Sequence, residues 1–402
     1  MSKTAPAAPS DPVIIVGAGI GGLAAALALR RVGVDVAVYE RAPVLHEVGA
    51  GVGLWANALR VLDRLGVGDR VRRDGSPLHV AEVCSWRGTV LSRLDLRDVL
   101  PSADAANYVV HRADLHTALA DALPDGLVRT GAEVVGVEQD EDGVTAAFRD
   151  RPPVRTPLLV GADGVHSAVR TALWGPSAVR YSGQTCYRGV APFRPDDPHV
   201  LREVQGPGQR VAVCPIGPGR VYWWAALNAP PGEADDPEAR RQVLEEQFAG
   251  WPYGVPEAIA ATAGPVLRND LVDRGPRVRW GRGRATLLGD AAHPMLPNLG
   301  QGACTAIEDA LVLARAVARH GAAPEALRAY ERERAGRTTA IVRQSWAFGM
   351  PARWRSGPAV RLREGLVRLT PGPVLARTVR EHVAFDVGPL DPVGRRAAAA
   401  AG

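Results

Sequence analysis

The sequence predicts a mixed α/β (α+β) fold: a nucleotide-binding domain on a parallel sheet, interleaved with a mostly antiparallel sheet domain and followed by C-terminal helices. Three observations carry this prediction. The apolar run Val13–Val16 passes through a glycine-rich turn into an Ala/Leu helix over 23–29, the pattern of a doubly buried strand and its crossover. Aromatic-rich alternating segments fill residues 181–265, where one face of each strand is polar. A further strand, glycine turn and helix follow from residue 284, so the chain returns to the first domain after the interruption. The expected boundaries are 12–79, 105–180 and 266–346 for the nucleotide domain, 80–104 and 181–265 for the sheet domain, and 347–402 for a helical tail.

The opening turn is Gly17-Ala-Gly-Ile-Gly-Gly22, in which Gly17, Gly19 and Gly22 supply G-x-G-x-x-G. The first glycine permits a tight turn, the second lets backbone approach a pyrophosphate, and the third lets helix and strand pack closely. The phosphates would sit at the helix N-terminus, where free N–H groups and the macrodipole favour negative charge. A second strand over 34–39 ends in Glu40, at the spacing of an acid that holds a ribose 2′-hydroxyl and repels a 2′-phosphate. FAD or NAD fits such a site better than NADP, and the fingerprint is Rossmann-type.

Composition removes several function classes. The formal charge is +5, but the arginines are scattered among acids and form no basic-aromatic stripe, so nucleic acid is not an expected partner. Lys3 is the only lysine, which removes lysine chemistry from the folded body. Cys84, Cys186, Cys214 and Cys304 are far apart with no C-x-x-C pair, so neither a metal site nor a disulfide framework is expected. A reducing cytoplasm suits such a chain. Residues 1–11 read as a frayed leader, and no stretch is long and apolar enough to cross a bilayer.

In chain order, residues 48–55 are glycine-rich, and Gly49, Gly51 and Gly53 would let backbone pass close to a flat ring unless the stretch is a flexible loop. A helix follows over 57–65, then a hairpin over 80–94 with Arg87-Gly88 at its turn. A helix is expected from Val109 to about Leu123, with Arg112 near its start as a bidentate donor to a phosphate or ring edge, or as a salt-bridge partner of Asp114. A hairpin over 134–148 precedes a strand, turn and helix over 158–170, which contain Asp163. Strands over 184–190, 209–214 and 220–227 make the antiparallel sheet, and 235–248 reads as a charged helix. The strand from Arg284 ends near Asp290, and helices over 299–319 and 324–346 close the domain. Two glycine-led helix N-termini, nearly the whole chain apart, could clamp a long two-ended ligand. FAD, with its isoalloxazine, has a use for both.

Together these segments resemble the single-component FAD-dependent aromatic hydroxylases, the group A flavoprotein monooxygenases. The marks are the Gly17–Gly22 turn with Glu40, Gly161-Ala-Asp-Gly164, and Gly289-Asp-Ala-Ala-His-Pro294 followed by Asn298-Leu-Gly-Gln-Gly302. The middle sheet is similar to those of urate hydroxylases, salicylate hydroxylase-like enzymes and zeaxanthin epoxidase-like proteins. The resemblance implies non-covalent FAD. Glu40, with Arg41 beside it, would hold the adenosine ribose, Arg112 the phosphate or ribityl region, and Asp290 the ribityl or ribose hydroxyls. Gly300, Gln301 and Gly302 would present backbone N–H groups to the flavin, with Pro297 and Gly53 alongside. Asp163 would organise a loop serving both FAD and the nicotinamide. The resemblance also implies Arg210 and Tyr222 as a substrate pair, with Arg188 and His293 as further catalytic candidates and Ala212, Trp224 and Pro294 as lining. The plainer alternatives are a sheet-surface arginine, a packed tyrosine and a histidine that caps its own turn.

The implied reaction uses NADH or NADPH to reduce FAD, dioxygen to form a C4a-hydroperoxide, and a planar aromatic or heteroaromatic small molecule as oxygen acceptor. Epoxidation of an olefin, or an FAD oxidase or reductase without oxygen insertion, stays open. A flavin-dependent halogenase does not fit, because it needs a catalytic lysine and a Trp-x-Trp signature, whereas Trp223 and Trp224 are adjacent. A monomer or homodimer is expected.

Overall fold

The apolar runs assemble into a five-stranded, all-parallel sheet in the order Ala285–Leu287, Leu159–Gly161, Val13–Val16, Val36–Tyr39, Val128–Arg129. The computed structural model describes residues 11–45, 50–100, 106–390 and 392. Gly49, all but the last residue of the expected leader, and the Ala-rich end lie outside those residues. Val16 pairs with Gly161, and Gly161 with Leu287, so the turns after all three strands leave the sheet at one carboxyl edge. Strands lie ~4.8 Å apart, which puts Gly17 and Leu288 within about 10 Å of each other although most of the chain separates them in sequence.

Close approach at this edge depends on the missing side chains of glycine. Gly17 has φ +101°, and a Cβ on Gly22 would stand 2.0 Å from the Gly17 carbonyl oxygen, so helix Ile20–Arg31 lies directly on the turn. A Cβ on Gly21 would stand 2.9 Å from Leu288 and 3.2 Å from Ala306, which brings helix Gly302–His320 against the first helix near both N-termini. The two glycine-led helices thus start side by side.

The second large sheet has seven strands, ordered Leu267–Asp273, Arg180–Ala191, Val221–Asn228, Gln209–Pro215, Val200–Gly206, Val80–Ser85, Val90–Asp95. Neighbours are antiparallel except Val200–Gly206 with Val80–Ser85. One face buries Val211, Val213, Trp223 and Ala225 beneath helices Arg240–Gln247 and Val255–Ala260. Trp223 is fully buried and donates its Nε1–H to Thr262. The other face carries Ala212, Cys214, Tyr222 and Trp224 in an apolar cluster with Trp55 and Val109 of the first domain, a cluster that reaches Leu375, Ala376 and Val379 of the C-terminal helix Gly372–Val383 by way of Leu94, Leu96 and Val99.

Several elements differ from expectation. The helix expected from Val109 begins at Arg112, and Asn107–His111 is a strand. Val109 and Val110 are β-branched and buried, and this strand pairs with Gly51–Leu54 on one side and Ser76–Leu78 on the other. The glycine-rich stretch is therefore partly strand. The charged helix starts at Arg240, because Asp236 accepts from the Glu238 amide and Asp235 pairs with the Arg240 guanidinium, which turns the acids into a lead-in. Strands Val200–Gly206 and Leu267–Asp273 add to the expected sheet, and the second moves its boundary from residue 265 to 273, because Leu267–Asp273 pairs with Arg180–Ala191. The hairpins Val80–Ser85/Val90–Asp95 and Val134–Gln139/Val144–Phe148 form as read.

Gly22→Ala should lift the first helix from its turn at a cost of about 1–3 kcal/mol, with loss of the flavin that the resemblance implies. A lower denaturation midpoint together with loss of the yellow absorbance of the purified protein would bear this out, and full flavin occupancy at unchanged stability would refute it.

Candidate active site

The carboxyl edge of the parallel sheet is built to receive an anion. A Cβ on Gly19 would meet nothing within 4 Å, so the backbone ahead of the first helix is open. Glu40 shapes the turn: its Oε2 accepts from the Ala18 amide at 2.8 Å and its Oε1 from the Ala42 amide at 2.8 Å. Each carboxylate oxygen keeps a lone pair that a ribose hydroxyl can use. His116, buried on helix Arg112–Asp121, meets the Ala18 carbonyl at 2.7 Å through Nε2 and braces the turn from behind. That brace was not foreseen, since a helical histidine bears no mark of what it touches. Arg41 is exposed beside Glu40. Arg112 stands at the first position of its helix, with its amide bonded to the Ala50 carbonyl at 2.7 Å. A Cβ on Gly53 would have nothing nearer than the Trp55 indole nitrogen at 4.0 Å.

Asp163 acts on its own loop. It accepts from Ser167 Oγ at 2.6 Å and the Ala168 amide at 2.7 Å, capping helix Ala168–Trp174. Burial raises its pKa, opposed by the Ser167 and amide hydrogen bonds.

At the second helix, the 3-10 turn Pro297–Leu299 leads into Gly300, with φ +62°, and then Gln301. Pro297 is exposed, while Gln301 is buried with its side chain accepting from Asn57 at 3.1 Å. Its side chain being held inward, Gln301 has only its backbone left for other contacts, and Gly300 lies close under the Trp55 indole. Asp290 follows the last parallel strand and is solvent-accessible. The protein mass around it still raises its pKa, with His293 and Arg112 pulling the other way. Arg112 and Asp290 are therefore near enough to interact electrostatically.

His293, a catalytic candidate from sequence, lies in a structural setting. It is 3% exposed, its Nε2 is 2.5 Å from Asp309, and its ring packs on Trp280. Asp309 also accepts from the Gly289 amide at 3.1 Å and from Arg334 Nε at 2.6 Å. Burial alone would raise the Asp309 pKa, but His293 and Arg334 outweigh it and hold the carboxyl below its usual value. Arg334 also reaches Glu308 at 2.7 Å, so a buried ion cluster ties the second helix to helix Pro324–Gly349. Pro294 is likewise buried.

The sheet candidates share one face, as strand parity requires. Ala212 pairs with Trp224, Arg210 with Ala226 and Cys214 with Tyr222, while Arg188 pairs with Trp224 from the other side. Arg210 and Tyr222 are thus about 13 Å apart at the backbone, with Trp224 between them. Arg210 is 2% exposed; its guanidinium bonds Asn298 Oδ1, stands 3.6 Å from Glu203 and lies over the Trp224 ring at 5.2 Å. Asn298 in turn donates to the Ser345 carbonyl at 2.7 Å. Arg210 therefore fastens the sheet to the Pro297–Gly300 turn, a use its position in the strand gave no sign of. Arg188 is spent in part on Asn269 of the adjoining strand. Tyr222 packs over Gly51, its hydroxyl has no hydrogen bond among the described residues, and burial pushes its pKa well above 10.0. It stays a neutral donor.

With this geometry in place, comparison with known proteins is direct. Residues 11–345 match the family described as FAD binding domain. The chain belongs to this family of flavoprotein monooxygenases. It is 38% identical to an aurachin C monooxygenase/isomerase from Stigmatella aurantiaca, over 93% of this chain and 98% of that protein. It is 36% identical to a 2-heptyl-3-hydroxy-4(1H)-quinolone synthase from Pseudomonas aeruginosa, over 89% of this chain and 94% of that protein. Among solved structures, HpxO from Klebsiella pneumoniae, in complex with FAD and uric acid, superposes with a TM-score of 0.87 at 31% identity, covering 94% of this chain and 98% of that one. The interleaved FAD-binding fold expected of a group A flavoprotein monooxygenase is the fold observed.

Asp309→Asn should cost about 3 kcal/mol by leaving Arg334 and the His293 loop short of charge. The depressed folded pKa means that the ionised carboxylate stabilises the fold fully above its unfolded value of 3.8 and loses that contribution as pH falls through the lower folded value. Denaturant unfolding of both proteins should give a wide gap at neutral pH that closes in acid. A gap independent of pH would show that the carboxylate charge is not what stabilises the loop.

Proposed function

We propose that this monooxygenase hydroxylates a planar heteroaromatic or aromatic small molecule, with NADH or NADPH as reductant and dioxygen as the oxygen source. The observation that carries the proposal is the sheet face of Tyr222 and Trp224, which packs over Gly51 and is fastened to the Pro297–Gly300 turn through Arg210 and Asn298. FAD fits the carboxyl edge of the parallel sheet: the open backbone at Gly19 suits the pyrophosphate, the spare lone pairs of Glu40 the adenosine ribose, and Asp290 with Arg112 the ribityl chain. Gly300, Gln301 and Gly302 suit the flavin ring through their backbone. We assign 12–79, 105–179 and 274–346 to this cofactor unit and 80–104 with 180–273 to the substrate sheet, because Leu267–Asp273 pairs with Arg180–Ala191. When bound, FAD supplies the redox chemistry, accepting reducing equivalents from the nicotinamide and activating dioxygen.

The chain's own residues bind and orient the acceptor. Trp224 offers a flat face for a ring, and Tyr222 a neutral O–H that can donate to a ring oxygen or nitrogen. Arg210 and Arg188 make that wall cationic, which favours an electron-rich or anionic ring. Arg210, held by Asn298 and Glu203, acts as a positioning residue for Trp224 and the turn, as His293 does for the Gly289 loop. Ala212, Cys214, Leu375, Ala376 and Val379 keep the surroundings apolar and exclude water from the reacting edge. That lining suits a ring with an apolar substituent, and the Pseudomonas relative is named for a heptyl quinolone. Four buried, unpaired cysteines are compatible with a reducing, cytoplasmic setting.

The test is a panel of phenols, aminohydroxybenzoates and 2-alkylquinolones offered to the flavin-loaded protein while NAD(P)H, oxygen, peroxide and product are followed. One class should accelerate NAD(P)H oxidation with oxygen appearing in the product; peroxide alone across the panel would favour an oxidase. With the active compound, Tyr222→Phe should lower kcat/KM roughly tenfold at unchanged flavin content. An unaltered rate would remove Tyr222 from the site.

A further inference from the structure

The exposed apolar side chains are unevenly placed. Among the described residues, every exposed leucine, phenylalanine and methionine lies between residues 348 and 369: Phe348, Met350, Leu362, Leu366 and Leu369. Leu362 (57% exposed), Leu366 (54%) and Leu369 (80%) are spaced i, i+4, i+7 on helix Gly357–Leu369, so they form one stripe within about 60° of arc. Val374, 54% exposed, continues the patch onto the next helix, Gly372–Val383. The opposite side of the first helix is anchored: Val360 and Arg363 are buried, and Arg363 Nη2 donates to the Gly206 carbonyl at 3.1 Å. The stripe is therefore presented by a fixed helix.

The same segment is strongly basic. Residues 350–382 hold seven arginines against two glutamates, a net positive charge as large as that of the whole chain. Arg355, Arg361 and Arg368 have no ion-pair partner among the described residues, and the last two lie on the helix that carries the leucines. Leucines at the centre with arginines beside them match a helix that lies in a membrane interface and meets anionic headgroups. A second copy suits the surface poorly, since a two-fold contact would set these arginines against their own counterparts. No helix is long and apolar enough to cross a membrane among the described residues, so the segment can lie on a bilayer without spanning it.

We propose that the consecutive helices Gly357–Leu369 and Gly372–Val383 dock the enzyme on an anionic lipid surface. Docking presses Leu362, Leu366, Leu369 and Val374 into the interface. The inner side of the second helix, through Leu375, Ala376 and Val379, belongs to the same apolar cluster as Tyr222 and Trp224, so the docked face and the candidate substrate wall are linked through one core. The inference goes beyond the reaction proposed above and holds whichever acceptor the enzyme uses.

The experiment is co-sedimentation of the flavin-loaded enzyme with vesicles of equal phosphatidylglycerol and phosphatidylcholine, and with phosphatidylcholine alone, at low and high salt. The enzyme should pellet with the anionic vesicles at low salt and not with the neutral ones. The double variant Leu366→Glu/Leu369→Glu, checked for unchanged flavin absorbance and melting, should bind roughly tenfold more weakly or worse. Arg361→Gln/Arg368→Gln should weaken binding several-fold. An enzyme left in the supernatant with anionic vesicles overturns the proposal. So does undiminished binding by the leucine variant, which would reduce the effect to general positive charge, and so does a solution dimer that the leucine variant converts to monomer, which would make a second copy the occupant.

Discussion

Two helix N-termini held side by side set the conditions for this end of the molecule. Each carries roughly half a positive charge, and bringing like ends together is unfavourable unless negative charge meets them. Neither Ile20–Arg31 nor Gly302–His320 has an acid in its first turn. Asp309, two turns into the second helix, is spent on the Gly289 amide, His293 and Arg334 and leaves little net charge for the N-termini. From outside, the open backbone at Gly19 leaves the first helix to a ligand's phosphates. The adjacency rests on small residues, because side chains at Gly21 or in place of Ala306 would force the helices apart. An anionic, two-ended cofactor therefore completes an electrostatic arrangement that the chain leaves half-made.

The second sheet answers this edge from across the site, and its two faces do different work. One is sealed by helices over Trp223, with the indole N–H satisfied by Thr262. The other carries Tyr222 with an unpaired hydroxyl in a largely apolar setting. Tyr222 is half-buried, so its neutral O–H is left free to donate to a polar group brought to this face. Arg210 sits differently: its guanidinium is committed to Asn298, Glu203 and the Trp224 ring. The charge lends the wall its sign while the bonds lend it rigidity.

Much of this was legible in the sequence, and the parts that were not share a cause. Val13–Val16, Glu40 and the two glycine turns could be read because their patterns are local and their chemistry restrictive: only glycine fits at Gly17 and Gly22. Strand parity placed Arg210, Ala212, Tyr222 and Trp224 correctly as two pairs, and the register joined the pairs on one face. What escaped depended on contacts distant in sequence. Val109 and Val110 read equally as strand or helix until both neighbouring strands are known. The tie from Arg210 to Asn298 spans 88 residues and the brace from His116 to Ala18 spans 98, and neither leaves a local trace. His293 looked catalytic for the same reason: the motif shows the histidine, and only the fold shows Asp309 against it.

The C-terminal segment, which offers no chemistry to a reader of the sequence, joins the units. Its backbone carbonyls serve as acceptors for side chains of the cofactor unit: Arg60 donates to Val383, and Arg337 to Glu381 and His382. On the sheet side, Asn228 donates to the Arg353 carbonyl and the Gly208 amide to that of Trp354. Because these bonds use main-chain acceptors, they constrain where the helices lie without constraining which side chains the helices carry. Leu375, Ala376 and Val379 can then differ from one relative to the next without loosening the frame around the flavin. A wall fixed by backbone and varied by side chain is a physical route by which one scaffold can accept rings of different size and substitution.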